Sequence, residues 1–346
     1  MKKKVLADLD WLNYMADVVL KKRFVEEVEL DIRKPETLDD LLELDLSQYW
    51  ALMRGGVMEH YVKSASFFEK ARNMIIASNP GVGYDDIDIE AATDAGIMVT
   101  NTPGVMAEDV AEHAIMLMIA VAKDLTRCDK ELREGQWNWE RHTGIRLWGK
   151  KLAQIGMGRI GTLIAEKCRT AFNMEILVYD PYAPDWQITN VGGKRTSFDD
   201  ILKEGDVFSI NVPLAPETQG MLGIEEFRQM KPNAIVVNTS RGKVIKENEL
   251  VKALQENLIF GAGIDVFEEE PPKKDNPLLK CHNTVLTQHC ASNTHEGVIA
   301  MVEEAVKNLL NVIDGKNPQP WDLINKEVLH KENLRFRNYI ATLKKF

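Results

Sequence analysis

Three residues whose side chains could together reduce a carbonyl stand just beyond apolar runs of this 346-residue chain. Arg241 follows AIVVNTS, Glu270 ends GIDVFEEE, and His289 closes TVLTQH. Hydride delivery to a 2-keto acid needs a cation to hold the carboxylate and polarise the carbonyl. It also needs a proton donor at the carbonyl oxygen and a group that sets the donor's pKa. Arginine, histidine and glutamate can fill those roles. Ligands of doubly wound sheets bind outside the carboxyl ends of the strands, so the shared position of the three is more informative than any one. Singly, each has another reading: His289 as a hydrogen-bonding strand end, Glu270 as part of a solvated acidic run before Pro271, Arg241 as a turn residue beside Gly242.

A second constellation would serve the hydride donor. Lys151–Gly161 reads KLAQIGMGRIG, a strand-like run followed by Gly156, Gly158 and Gly161 in G-x-G-x-x-G spacing and then a helical stretch. Gly156 allows a tight turn, Gly158 lets backbone approach a pyrophosphate, and Gly161 allows close helix–strand packing. The diphosphate would rest on N–H groups at the helix start, those of Arg159 and Ile160. The next strand, EILVYD, ends in Asp180, where an acid accepts both adenosine ribose hydroxyls and repels a 2′-phosphate. NAD is therefore the expected cofactor, although a surface aspartate before the Pro181 turn would look the same in sequence.

These residues need parallel sheets to hold them. Short β-branched runs alternate with amphipathic stretches, as in α/β proteins. Strands are expected at Lys4–Leu6, Ala51–Met53, Met74–Ala77 and Ile97–Thr100, then at Leu152–Ile155, Glu175–Tyr179, Val207–Val212, Ala234–Asn238, Gly261–Val266 and Thr284–Thr287. A long helix is expected over Ala107–Leu125 and another from Thr294 to Ile313. The tail from Asn317 reads as polar, with one further amphipathic helix within Glu327–Phe346. The length suits two domains.

Composition narrows the partners. With 43 basic and 53 acidic residues the net charge is −10, which disfavours nucleic acid and anionic membrane surfaces. The longest apolar run, Ala114–Ala122, is far short of the roughly 20 residues of a bilayer span. No signal-peptide pattern follows Lys2–Lys4. The four cysteines show no metal-ligand or disulfide spacing, so no metal and a cytoplasmic location are expected.

From residue 79 to residue 315 the sequence resembles the D-isomer-specific 2-hydroxyacid dehydrogenases. The matching stretches are NPGVGYDDID (79–88), VTNTPGV (99–105), DVAEHAI (109–115), IGMGRIG (155–161), NTSRGKVI (238–245), GIDVFEEEP (263–271) and TQH (287–289). The resemblance implies two Rossmann-like or flavodoxin-like α/β domains, with an NAD-binding domain (103–295) inserted into a substrate-binding domain (1–102 plus 296–346). It implies that Arg241 binds the substrate's carboxylate and carbonyl, that His289 is the acid/base, and that Glu270 pairs with it. Asp265 would contact the nicotinamide end, and Pro213, Thr218, Thr239 and Ala291 would line the cofactor site. Backbone N–H groups of Val82 and Gly83, with Gly55 and Gly56, would seat the carboxylate, with Met106 nearby. Arg54, read from its own place between the strand ALM and those glycines, either reaches inward as a second anion site or is a solvated rim arginine. A homodimer is implied, with Ala107–Leu125 and the segment Trp137–Trp148 as its candidate surface.

The chain departs from the family around the reacting carbon, with Gln288, Cys290, Ala291 and Ser292 flanking the histidine and Met106 where many members have Asn. Small 2-keto acids are the expected substrates. A phosphoglycerate dehydrogenase, a formate-type dehydrogenase and an NAD-sensing scaffold remain alternatives.

Overall fold

A computed structural model describes residues 2–54, 64–85 and 87–343. The chain divides into two compact units, Met1–Met106 with His295–Phe346, and Ala107–Thr294. The first contains β1 (Lys3–Ala7), β2 (Val28–Ile32), β3 (Ala51–Met53), β4 (Ile76–Ser78) and β5 (Met98–Thr100). They form a parallel sheet in the order β2-β1-β3-β4-β5. Side chains alternate across it: Val5 and Ala7 join one apolar cluster while Leu6 joins the other, the period of two that a buried strand requires.

The second unit contains β6 (Lys151–Ile155), β7 (Glu175–Tyr179), β8 (Gly193–Arg195), β9 (Val207–Ile210), β10 (Ile235–Asn238), β11 (Gly261–Ile264) and β12 (Thr284–Leu286). Its sheet, also parallel, runs β12-β11-β10-β9-β6-β7-β8. The chain winds outward from β6 through β8 and then restarts at β9 on the other side. The carboxyl ends of β6 and β9 therefore flank the switch point at which such sheets bind ligands. Both sheets answer to the expected α/β class with parallel strands.

Two strands were not anticipated, β2 and β8. Both are sheet edges, VELDI and GKR, where charged side chains on a half-exposed strand blur the apolar alternation. The helix expected over Ala107–Leu125 stops at Ala122. Ile145 donates its N–H to the Ala122 carbonyl at 2.7 Å, and Asp124 takes a left-handed conformation (φ 50°) before a separate helix, Leu125–Arg133.

Helix Ala107–Ala122 lies close on β11 because β11 has glycines. A Cβ on Gly263 would stand 2.8 Å from Cβ of Leu117, and one on Gly261 would stand 2.9 Å from Val121, both inside van der Waals contact. Helix His295–Ile313 belongs to the first unit, where Val302, Ala305, Val306, Leu309 and Leu310 fill the core. Trp137, Trp139 and Trp148 are 61–79% exposed. Among the described residues no helix is long and apolar enough to cross a membrane.

The tail is not the polar appendage its composition suggests. Leu334 and Phe336 enter the first core, a helix forms over Arg335–Leu343, and Asn325 is fully buried. The Asn325 amide accepts from Val99 N–H at 2.8 Å and donates to Thr93 Oγ1 and the Ile97 carbonyl, each at 2.9 Å. Those bonds replace the chain's own turns as partners for β5. Asn325→Leu should leave buried donors and acceptors unmatched and cost roughly 2–4 kcal/mol. Urea unfolding followed by circular dichroism would show this as a lower midpoint; an unchanged midpoint would mean the tail contributes nothing to the first unit.

Candidate active site

The glycine turn lies after β6 at the switch point. Gly156 has φ +88°, and a Cβ there would fall 2.4 Å from the Asn211 carbonyl oxygen, so only glycine fits. Gly161 opens the helix Arg159–Phe172 against the turn itself, with 2.2 Å between its would-be Cβ and the Gly156 oxygen. Gly158 differs. A Cβ built there meets nothing within 4 Å, so this glycine borders open space at a helix N-terminus whose first N–H groups have no partner in the helix. The arrangement fits the diphosphate of a dinucleotide, with Gly158, Arg159 and Ile160 as the residues that would hold it.

Asp180 follows β7 and is half-buried. Its carboxylate accepts from the N–H groups of Met157 (2.7 Å), Tyr182 (2.8 Å) and Ala183 (3.0 Å). It therefore ties the glycine turn to the end of β7, a job that spacing alone does not reveal. Thr218 closes the loop after β9, accepting from Ala215 N–H at 2.8 Å and donating to the Pro213 carbonyl at 2.6 Å. Thr239, after β10, accepts from the Asn211 amide at 3.4 Å.

Arg241, Glu270 and His289 follow β10, β11 and β12, which are neighbours in the sheet. The Arg241–Gly242 turn presses on the end of the next segment, since a Cβ on Gly242 would lie 1.9 Å from the Phe267 carbonyl carbon. Asn238 holds the turn by donating to the Arg241 carbonyl at 2.9 Å. Glu270 accepts from Phe267 N–H at 2.9 Å through Oε1, and its Oε2 lies 2.7 Å from Nδ1 of His289. His289 is itself held at φ +50°, a conformation that costs a side-chain-bearing residue energy and persists only when neighbours enforce it.

The charges explain the proton affinities. The Glu270 hydrogen bond, with the Glu270 and Asp265 charges, raises the His289 pKa above its ordinary value against desolvation and the nearby Arg241 cation. For Glu270, burial favours the neutral form. The His289 hydrogen bond and charge, the Phe267 N–H and the Arg241 charge outweigh it and hold the pKa below the usual carboxylate range. With Nδ1 facing the carboxylate, Nε2 is the atom able to exchange a proton. The constellation can polarise an oxygen and deliver a proton to it.

Asp265 is completely buried. Its carboxylate accepts from Thr287 Oγ1 (2.6 Å), Cys290 N–H (3.0 Å) and Ala291 N–H (3.1 Å). His113, within the DVAEHAI motif, has no role assigned by sequence reasoning, yet it lies 3.0 Å from Thr287 Oγ1. Its period with Asp109, Leu117 and Val121 on one helix face was the signal available.

The remaining residues belong to the first unit. Arg54 is 5% exposed and Met106 6%, so Arg54 is no solvated rim residue. Asn101 and Asn79 donate side-chain bonds to the carbonyls of Val82 (2.8 Å) and Gly83 (2.6 Å), fixing that turn's peptide planes. Gly55 and Gly56 lie outside the described residues.

Residues 115–291 match the sequence model described as D-isomer specific 2-hydroxyacid dehydrogenase, NAD binding domain. A glyoxylate reductase of Korarchaeum cryptofilum is 42% identical over 269 residues, covering 77% of this chain and 80% of that protein. This chain belongs to the D-isomer-specific 2-hydroxyacid dehydrogenase family. A D-3-phosphoglycerate dehydrogenase of Archaeoglobus fulgidus is 36% identical over 288 residues, 83% of this chain but 54% of that longer protein. The crystal structure of the TT0316 protein from Thermus thermophilus superposes with a TM-score of 0.82 at 31% identity, covering 93% of this chain and 99% of that one. The protein is thus an NAD(P)-linked oxidoreductase acting on 2-hydroxy or 2-keto acids.

The glycines give a contrast that tests the cofactor site. Gly158→Ala has a compatible backbone and room for its methyl, so the fold should keep its melting temperature. NADH should bind at least about 10-fold more weakly, because the methyl occupies the diphosphate's approach. Gly161→Ala should instead lower the melting temperature. Isothermal titration with NADH and thermal melts of both variants would decide it; undiminished NADH affinity in Gly158→Ala would place the diphosphate elsewhere.

Proposed function

We propose that this enzyme reduces small 2-keto acids such as glyoxylate, hydroxypyruvate or pyruvate to D-2-hydroxy acids with NADH, and runs the reverse reaction by the same groups. The observation that carries the reading is the 2.7 Å pair between Glu270 Oε2 and His289 Nδ1, beside Arg241 on the adjacent strand end. NADH supplies the hydride that reaches the substrate's C2. Arg241 binds the carboxylate and the carbonyl oxygen and stabilises negative charge developing there. His289 gives the Nε2 proton to that oxygen in reduction and takes it back in oxidation. Glu270 keeps Nδ1 facing away from the substrate and holds the imidazolium to higher pH. Asp180 favours NADH over NADPH, because its carboxylate at the end of β7 would repel a 2′-phosphate. Pro213, Thr218, Thr239 and Ala291 are proposed to line the cofactor, and Val82, Gly83 and Met106 to contact the acid, on the family resemblance, with Arg54 added from its place at the end of β3.

His289→Ala should lower kcat by about 100-fold or more with NADH affinity nearly unchanged. Glu270→Gln should leave activity but shift its pH dependence. The carboxylate raises the His289 pKa, so reduction, which needs the imidazolium, is lost as pH rises through that value. Without the carboxylate the falling limb of kcat/KM should move to lower pH. Full turnover in His289→Ala would make the residue structural.

The archaeal phosphoglycerate dehydrogenase supports a second reading, and the buried Arg54 could favour a doubly anionic substrate. The lean is toward the unphosphorylated acids, since Met106 suits a short or apolar substituent. Hydroxypyruvate should therefore give a higher kcat/KM than its phosphorylated form, and NADH a higher value than NADPH, the latter gap narrowing in Asp180→Ser. Preference for the phosphorylated acid, lost in Arg54→Ala, would reverse the substrate assignment.

A further inference from the structure

The motif DVAEHAI takes no part in the hydride or proton transfer, yet it brackets the turn that carries the acid/base. Asp109 hydrogen-bonds Thr294 Oγ1, and His113, one helical turn on, meets Thr287. Residues 287–294 thus hang between two side chains of one helix face. Within that turn everything converges on Asp265. His289 N–H donates to its carbonyl at 2.7 Å, while its side-chain oxygens take Thr287, Cys290 and Ala291. The residues on both sides of His289 are fixed by one buried carboxylate.

The proton directions follow from the donors available. Thr287 has one hydroxyl proton, and at 2.6 Å from an acceptor-only carboxylate oxygen it points to Asp265. The Thr287 oxygen must then accept from His113, which puts a proton on His113 Nε2. His113 Nε2 also lies 3.5 Å from the same Asp265 oxygen, and its side chain is only 15% exposed. The chain His113 to Thr287 to Asp265 is therefore directional and sheltered from water. We infer that His113 and Thr287 are positioning residues for the acid/base: they orient the Asp265 carboxylate, which fixes the residues on both sides of His289 and so its left-handed conformation.

This rests on His289 being the acid/base, and the test separates the two claims. Four variants should be compared: His113→Leu, His113→Gln, Thr287→Val and the double His113→Leu/Thr287→Val, with His289→Ala as control. Small displacements of a catalytic group cost large factors in rate. His113→Leu and Thr287→Val should each lower kcat about 10-fold, a larger factor than any rise in the KM for NADH, with both variants still folded at the assay temperature. Because both act through one hydrogen-bond chain, the double variant should be no slower than either single one. His113→Gln, whose amide can donate from nearly the same place, should recover most of the loss. If the His113→Leu variant fails to fold, Thr287→Val against Thr287→Ser carries the comparison, the serine keeping the hydroxyl and therefore the rate.

Wild-type kcat in His113→Leu, multiplying losses in the double variant, or a glutamine no better than leucine would each overturn the inference. If those results come with an inactive His289→Ala, only the positioning role falls. If His289→Ala turns over normally, the acid/base reading falls and this one with it.

Discussion

The site in the second unit depends on how closely helix Ala107–Ala122 can approach β11. Gly261 and Gly263 carry no Cβ, and the space they leave is taken by Val121 and Leu117. Any larger residue would push the helix outward by the few tenths of an ångström to an ångström that close-packed interiors resist. That approach does more than fill a core. It brings the same helix face, one and two turns earlier, to the turn after β12, where Asp109 and His113 meet hydroxyls of Thr294 and Thr287. A packing constraint on glycines in a buried strand thus becomes a constraint on where the turn carrying His289 can sit.

Electrostatics is layered on that geometry. Glu270 is pulled both ways, by burial toward neutrality and by its cationic and N–H neighbours toward charge, and the neighbours win. His289 is the mirror case, with its carboxylate partner outweighing desolvation and Arg241. Arg241 therefore acts in opposite senses on the pair: it helps Glu270 stay ionised and opposes proton uptake by His289. A weaker carboxylate partner would let desolvation and the Arg241 charge favour the neutral imidazole. The hydrogen bond at Nδ1 offsets the Arg241 charge and so favours an imidazolium beside a guanidinium in one corner.

Much of this was legible in the chain because the relevant signals are local. The strands β6, β7 and β9–β12 are short apolar runs ended by polar or glycine residues, and Arg241, Glu270 and His289 stand directly after them. Edge strands were not legible, since VELDI and GKR carry charges where one face meets solvent. The end of helix Ala107–Ala122 was not legible either, because it is set by the Ile145 N–H, a partner more than twenty residues downstream. The tail misled for a related reason: Asn325 reads as a solvated residue, and only the fold shows it substituting for backbone partners of β5. Asp180 stands out in the chain by its position and Asp265 through the family resemblance, but their hydrogen bonds to neighbouring turns could not be read from spacing.

Arg241, Glu270 and His289, the groups proposed to handle the proton, follow the adjacent strands β10, β11 and β12 of one unit, which parallel ladders hold in register. Every group whose charge or hydrogen bond sets the pKa balance of His289 and Glu270, Arg241, Asp265 and Phe267 included, belongs to the second unit. Residues proposed to meet the acid, Arg54, Val82, Gly83 and Met106, belong to the other unit, where the carbonyls of Gly83 and Val82 accept from the Asn79 and Asn101 side chains. On that proposal, substitution there should change which acid is preferred and leave the Glu270–His289 hydrogen bond in place. On the function proposed above, the reaction type is carried by one sheet and the choice of acid by turns that sheet does not contain, which is consistent with relatives named both for glyoxylate and for phosphoglycerate.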